Sequence, residues 1–94
     1  MKYKFSKPFE FEGKTYEALD IDLDNLTGED LEVVEQQMQE EKVFALVPAI
    51  HRGYCARVGA VAAKVPPQFF KKLPAKDYSK ITQEISNFLL AEQD

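Results

Sequence analysis

FSKPFEFEGKTYEALDIDLDNLTGEDL, residues 5–31, combines the pattern of a β-hairpin with the start of a helix. In and just before its first part, aromatic residues alternate with polar ones, the period of a half-buried strand: Tyr3, Phe5, Phe9 and Phe11. Lys7 interrupts this alternation, and Pro8 restricts the strand to a sheet edge or a bulge. Glu12-Gly13 predicts the turn, because glycine accepts the positive φ that tight hairpins need.

The second strand is predicted from Thr15 to about Leu23, with a bulge near Glu17–Leu19 because its apolar residues change phase there. Thr27 is a suitable N-cap for a following helix, with Asp30 at the third helical position. Leu26 and Leu31 have the spacing of a hydrophobic staple around that cap.

Apolar spacing and proline positions predict the remaining elements. We expect helices at 27–42, 48–64 and 75–91, after a hairpin at 1–24. The middle helix is rich in alanine and glycine, so neighbouring helices can approach it closely, and its apolar stripe is predicted as Ile50, Tyr54, Val58 and Val61. Residues 68–73 can add one short turn. The predicted fold is a single α+β domain, 1–94, in which an N-terminal β-hairpin precedes a small bundle of three to four α-helices.

Charge is distributed unevenly along the chain, whose net charge is −4. Residues 10–41 contain twelve acidic side chains and one lysine, whereas residues 42–94 contain eight basic and four acidic ones. Such a chain can be steered toward a partner or toward a second copy of itself. The single cysteine and the absence of an apolar leader or a membrane-length apolar run indicate a cytoplasmic protein.

No residue pattern predicts catalysis, a metal or a cofactor. Asp20, Asp22 and Asp24 imitate the start of a calcium loop, but the glycine and glutamate that such a loop requires are missing. His51 and Cys55 share a helix face without further ligands for zinc, and Cys55 is expected to be buried. We therefore expect no enzyme activity and no small-molecule substrate.

A nucleic-acid-binding alternative depends on aromatic residues interleaved with lysines near the C-terminal half. They are Phe69, Phe70, Lys71, Lys72, Lys76, Tyr78 and Lys80. The acidic first half would repel phosphates, so no nucleic-acid partner is expected.

The succession of sequence blocks carries more information than any single motif. The hairpin KPFEFEGKTYEAL (7–19) leads into LTGEDL (26–31), then the small-residue stretch YCARVGAVAAKVPPQFFKKL (54–73), and finally D-x₃-I-x₃-I-x₂-FL from Asp77 to Leu89. This succession resembles the tail assembly chaperones of long-tailed bacteriophages and related contractile prophages. The resemblance also implies a glycine just before Val65-Pro66, where this chain has Lys64.

The resemblance implies a non-enzymatic assembly factor in the host cell cytoplasm, absent from the mature virion. Its expected partners are the apolar, helical tape-measure protein, which it would keep soluble, and the tail tube protein, which a longer frameshifted form would recruit. Assembly of the chain into a homo-oligomer is an alternative that the sequence leaves undecided. The alternative function is a small acidic regulatory adaptor or an antitoxin-like interaction module.

The expected binding site for the tape-measure helix is a groove between the middle and last helices. Its apolar contacts would be Phe69, Phe70 and Leu90, if these residues are exposed rather than packed on the core. The acidic residues Glu32 and Glu35, on one face of the first long helix, would contact a lysine-rich partner or a neighbouring copy.

Overall fold

A computed structural model describes residues 1–91 of the chain. It contains two strands and four α-helices, which confirms the predicted α+β class with a hairpin preceding the helices. The elements are β1 Lys2–Phe11, β2 Lys14–Asp20, α1 Gly28–Glu40, α2 Arg52–Ala63, α3 Pro67–Lys71 and α4 Ala75–Leu90, with a 3-10 helix at Pro48–Ile50. The last part of the predicted domain, residues 92–94, lies outside the described residues.

The hairpin turn is formed by Glu12 and Gly13, as predicted, and both have positive φ, 50° and 77°. The predicted position of the bulge is wrong. Lys4 pairs with Ala18 and Phe9 with Tyr16, so the extra residues lie in β1 instead of β2. Pro8 lies within them and has no N–H to donate to a ladder, which gives the physical reason for this position.

The capping residues in the sequence predict the start of α1 correctly, whereas the predicted bounds of the second helix are less accurate. Around α1, the Thr27 hydroxyl accepts from Asp30 N at 3.3 Å, and Thr27 N donates to the Asp30 carboxylate at 2.9 Å. The helix predicted for 48–64 is divided, because His51 has an extended conformation (φ −84°, ψ 117°) between the 3-10 helix and α2. Ile50 and Val61, predicted to be on the buried stripe, are therefore exposed, and the small residues face the core.

At Gly59, side chains of α3 and α4 pack directly against the backbone of α2. A Cβ atom at this position would lie 2.6 Å from Ile85 Cδ1 and 3.0 Å from Phe70 Cζ. Both of those side chains are fully buried, so they have little room to move away. The space that a side chain at position 59 would need is thus occupied by an aromatic ring from α3 and a methyl group from α4.

Phe69 joins the hairpin to the helices. Its ring centroid lies 4.9 Å from that of Tyr16, 5.1 Å from those of Phe9 and Phe11, and 6.2 Å from that of Phe5. The ring has no exposed surface. A hairpin alone cannot bury an aromatic face, and α3 provides the side chain that covers it.

Replacement of Phe69 by alanine should therefore destabilise the protein strongly. We expect Phe69→Ala to lower the free energy of unfolding by about 3–5 kcal/mol, since it leaves a cavity under the hairpin. Phe44→Ala is the matched control, because Phe44 is 81% exposed and its loss should leave the free energy of unfolding nearly unchanged. Urea denaturation of both variants measures the difference, and equal stabilities would contradict this packing.

Lys64, where the family resemblance implies a glycine, has φ 58° and ψ 43° at the end of α2. Val65 N donates to Ala60 O at 3.0 Å, which completes a Schellman-type helix end. Because glycine takes a left-handed conformation without steric cost, Lys64→Gly should raise the free energy of unfolding by about 0.5–1 kcal/mol. The same change in the first turn of α4, Lys76→Gly, should lower the free energy of unfolding. Thermal melts in which both changes destabilise the protein would contradict a steric cost at Lys64.

Candidate partner-binding surface

The structure separates the residues predicted to bind a partner. Phe69 and Phe70 are both fully buried, so of the two alternatives that the sequence leaves open for them, packing on the core is the one found, and neither is exposed to a partner. Beside Gly59, the space between the middle and last helices is filled by Phe70 and Ile85. Leu90 is 54% exposed at the end of α4, and Glu32 and Glu35 are exposed on α1.

The most exposed apolar side chains lie elsewhere, in the connection between α1 and α2. We call residues 43–50, VFALVPAI, the apolar segment. Within it Phe44 is 81% exposed, Leu46 87% and Ile50 61%, and Val47 is also exposed. Large exposed apolar residues that lie together in this way commonly mark a site of protein interaction. The sequence does not predict this run as a binding surface, since its pattern places residues 48–50 in the middle helix, with Ile50 on the apolar stripe.

Hydrogen bonds hold the apolar segment at both ends. At its start, Val43 N donates to Met38 O at 2.8 Å. Near its end, Ala49 O accepts from the Ser86 hydroxyl of α4 at 2.6 Å and from the Cys55 thiol of α2 at 3.4 Å. The backbone is thus fixed by α1, α2 and α4, and the exposed side chains are displayed in a defined arrangement.

An ion pair next to this segment strengthens its first anchor. Arg57 Nη2 lies 2.8 Å from Glu41 Oε1, which joins α2 to the residue that follows α1. The guanidinium is buried and the carboxylate is half-exposed, so the pair mainly fixes the position of Glu41 relative to α2. Within residues 1–91, Arg57 Nε is a buried side-chain nitrogen without a hydrogen-bond partner.

A small hollow lies between α1 and the apolar segment. Its volume is about 140 Å³, and its apolar lining comes from Met38, Phe44, Pro48 and Tyr54. This volume is close to that of an apolar cavity that accepts one benzene ring, roughly 150 Å³. Glu35 and Gln39 form its polar side. Burial and the nearby Glu35 carboxylate raise the pKa of Tyr54, which places this charge close to the hollow.

The residues considered for metal binding or catalysis have structural roles. His51 Nδ1 accepts from Tyr54 N at 3.1 Å, so this side chain caps α2. Cys55 is buried, as predicted, and burial raises the pKa of its thiol. Ile21 and Leu23 are buried between the exposed Asp20, Asp22 and Asp24. Within residues 1–91, no three His, Cys, Asp or Glu side chains are grouped to hold a metal ion.

Asp77 is the most strongly buried acidic group, and its partners come from the hairpin. Its carboxylate accepts from the Tyr3 hydroxyl at 2.7 Å, from Ser6 N at 3.2 Å and from the Ser6 hydroxyl at 3.0 Å. Burial acts to raise the pKa of Asp77, but these hydrogen bonds and the Lys80 charge together lower it. Burial and the Asp77 carboxylate raise the pKa of Tyr3 to about 12. With its oxygens occupied by β1, Asp77 connects α4 to the bulge and is not free for catalysis.

Comparison with known protein families gives a match over nearly the whole chain. The sequence model of a family described as "Phage tail assembly chaperone proteins, E, or 41 or 14" matches residues 2–90, nearly the whole chain. No curated protein and no solved structure matches the chain. No helix within the described residues is long and apolar enough to cross a membrane.

The contact between Tyr3 and Asp77 predicts how stability depends on pH. Because the pKa of Asp77 is lower in the folded protein, its contribution to the free energy of unfolding is complete above pH 3.8, its ordinary pKa, and is lost as the pH falls below that value. Because the pKa of Tyr3 is raised from 10.0 to about 12, its contribution to the free energy of unfolding is complete below pH 10 and is lost toward pH 12. The alkaline loss should be on the order of 2–3 kcal/mol.

Urea denaturation across this pH range measures both losses. Tyr3→Phe should reduce the loss between pH 10 and pH 12, and Asp77→Asn should reduce the loss below pH 4. Unchanged pH profiles in both variants would contradict the assignment of these losses to Tyr3 and Asp77.

Proposed function

Because this chain belongs to the family of phage tail assembly chaperones, we propose that it binds the tape-measure protein and keeps it soluble while the tail tube assembles. The single observation that carries this proposal is the family match over residues 2–90. The proposed action is binding without catalysis. The protein would act in the host cell cytoplasm and leave before the virion is complete, and the tail tube protein would be a second partner.

The physical requirement is the covering of an apolar helix. A tape-measure protein of the kind that the resemblance implies is long, helical and amphipathic, so its apolar face has no partner until the tube surrounds it. A chaperone must therefore offer apolar surface of its own while the rest of its fold stays closed. The exposed side chains of the apolar segment meet this requirement, because Phe44, Leu46 and Ile50 lie on a core that is complete without them.

Co-expression tests the proposed function. The tape-measure protein encoded in the same phage genome should be largely insoluble when produced alone, and largely soluble when this chain is produced with it. A tag on this chain should then recover both proteins together. The reason is that the apolar face of the helix is covered by the chaperone instead of by other copies of the tape measure.

A suitable control is an unrelated acidic protein of similar size, produced at the same level. If that control keeps the tape-measure protein equally soluble, or if this chain leaves it insoluble and is not recovered with it, the proposed function is wrong.

A further inference from the structure

We propose that the apolar segment, together with the acidic face of α1, is the docking surface for one amphipathic helix that carries lysine or arginine beside its apolar stripe. Under the proposed function, on which its biological identity rests, this helix is a segment of the tape-measure protein. The shape and charge of the surface do not depend on that identity, so binding of such a helix can be tested with model peptides.

The surface has an apolar centre beside an acidic side. Phe44 lines a hollow large enough for one side chain of the partner, and Leu46, Val47 and Ile50 are exposed in the same segment. Glu35 lines that hollow, and Glu32 lies about one turn before it on α1. An inserted apolar side chain would therefore have acidic groups beside it, and these would attract a basic residue three or four positions away on the same helix.

Charge also argues against a symmetric dimer through this surface. In an isologous pair, each patch faces the same patch on the other copy, so the acidic face of one α1 would approach that of the other. α1 contains five acidic residues and no basic one, which makes such an approach unfavourable. A basic helix meets the same surface with opposite charge.

A head-to-tail contact between copies is the competing arrangement. A larger surface hollow, about 610 Å³, lies along the bulge of β1 and has Lys2, Lys4 and Lys7 in its lining. This hollow displays no exposed large apolar residue comparable with Phe44 or Leu46. It offers charge to the acidic face but no side chain to fill the hollow beside Phe44. We therefore favour a basic helix over a second copy.

The first test uses two model peptides of about 20 residues, matched in length and in a leucine stripe on one helix face. One peptide has lysines beside the stripe and the other has glutamates at the same positions. We expect the lysine peptide to bind at least about tenfold more tightly in fluorescence anisotropy at low salt, and its advantage to shrink as salt is added. Equal binding of the two peptides, or no binding of either, would overturn the proposal.

Two double variants locate the contact. Phe44→Ser/Leu46→Ser removes the apolar centre, and Glu32→Lys/Glu35→Lys reverses the acidic side. Each should lose most of the affinity for the lysine peptide. Because all four side chains are exposed, both variants should retain the circular dichroism spectrum and thermal midpoint of the parent protein.

Matched controls come from surfaces outside the proposed site. Val61→Ser removes an exposed apolar residue from α2, and Glu10→Lys/Glu12→Lys makes the same change in net charge at the hairpin. Both should bind the lysine peptide like the parent protein. Binding that is lost in these controls as much as in the segment variants would place the contact elsewhere and overturn the proposal.

The same variants, co-expressed with the tape-measure protein, separate this proposal from the proposed function. If the parent chain and the segment variants recover the tape measure equally, the docking surface is wrong and the function stands. If the parent chain binds the lysine peptide through the segment but never recovers the tape measure, the surface stands and the function is wrong. If the segment variants instead convert an oligomer into a monomer in sedimentation velocity, with peptide binding unchanged, the surface serves a second copy and the proposal fails.

Discussion

The contact of Phe69 with the inner face of the hairpin is the interaction on which the rest of this structure depends. A two-stranded hairpin has too little buried surface to hold its form alone, and here its aromatic residues surround one ring from α3. That contact fixes α3 between two proline-marked boundaries, Pro66 and Pro74. Asp77, just beyond the second boundary, then accepts hydrogen bonds from Tyr3 and Ser6 and sets the orientation of α4.

The same packing explains which surfaces remain for a partner. Gly59 allows Phe70 and Ile85 to reach the backbone of α2, so the space between α2 and α4 is filled from inside. With Phe69 and Phe70 in the core, the lysines around them have no exposed aromatic neighbours on α3, and the pattern that suggested nucleic-acid binding loses two of its three aromatic side chains. Exposed apolar area is instead concentrated in the apolar segment, whose backbone is held by α1, α2 and α4.

Features set by neighbouring residues could be predicted from the sequence, and features set by distant contacts could not. The Glu12-Gly13 turn, the Thr27–Asp30 cap and the buried Cys55 follow from local chemistry. Pro8 is a local signal for a bulge in β1, whereas the hydrogen bond that Ser6 N donates to Asp77 joins residues far apart in the chain and appears only in three dimensions. Burial of Phe69 depends on the hairpin folding over it, which a short polar-flanked FF pair does not indicate. The apolar segment was missed because an apolar run is ordinarily evidence of burial, and its exposure appears only in three dimensions.

The proposed contact of the tape-measure helix with the apolar segment and the acidic face of α1 can be tested without any substitution. Hydrogen exchange of this chain, measured by mass spectrometry with and without the tape-measure protein, is the most direct test. We expect slower exchange confined to residues 32–50 on binding, and little change in the hairpin. Slower exchange in β1 and β2, or at the end of α4 around Leu90, with residues 43–50 unchanged, would contradict it.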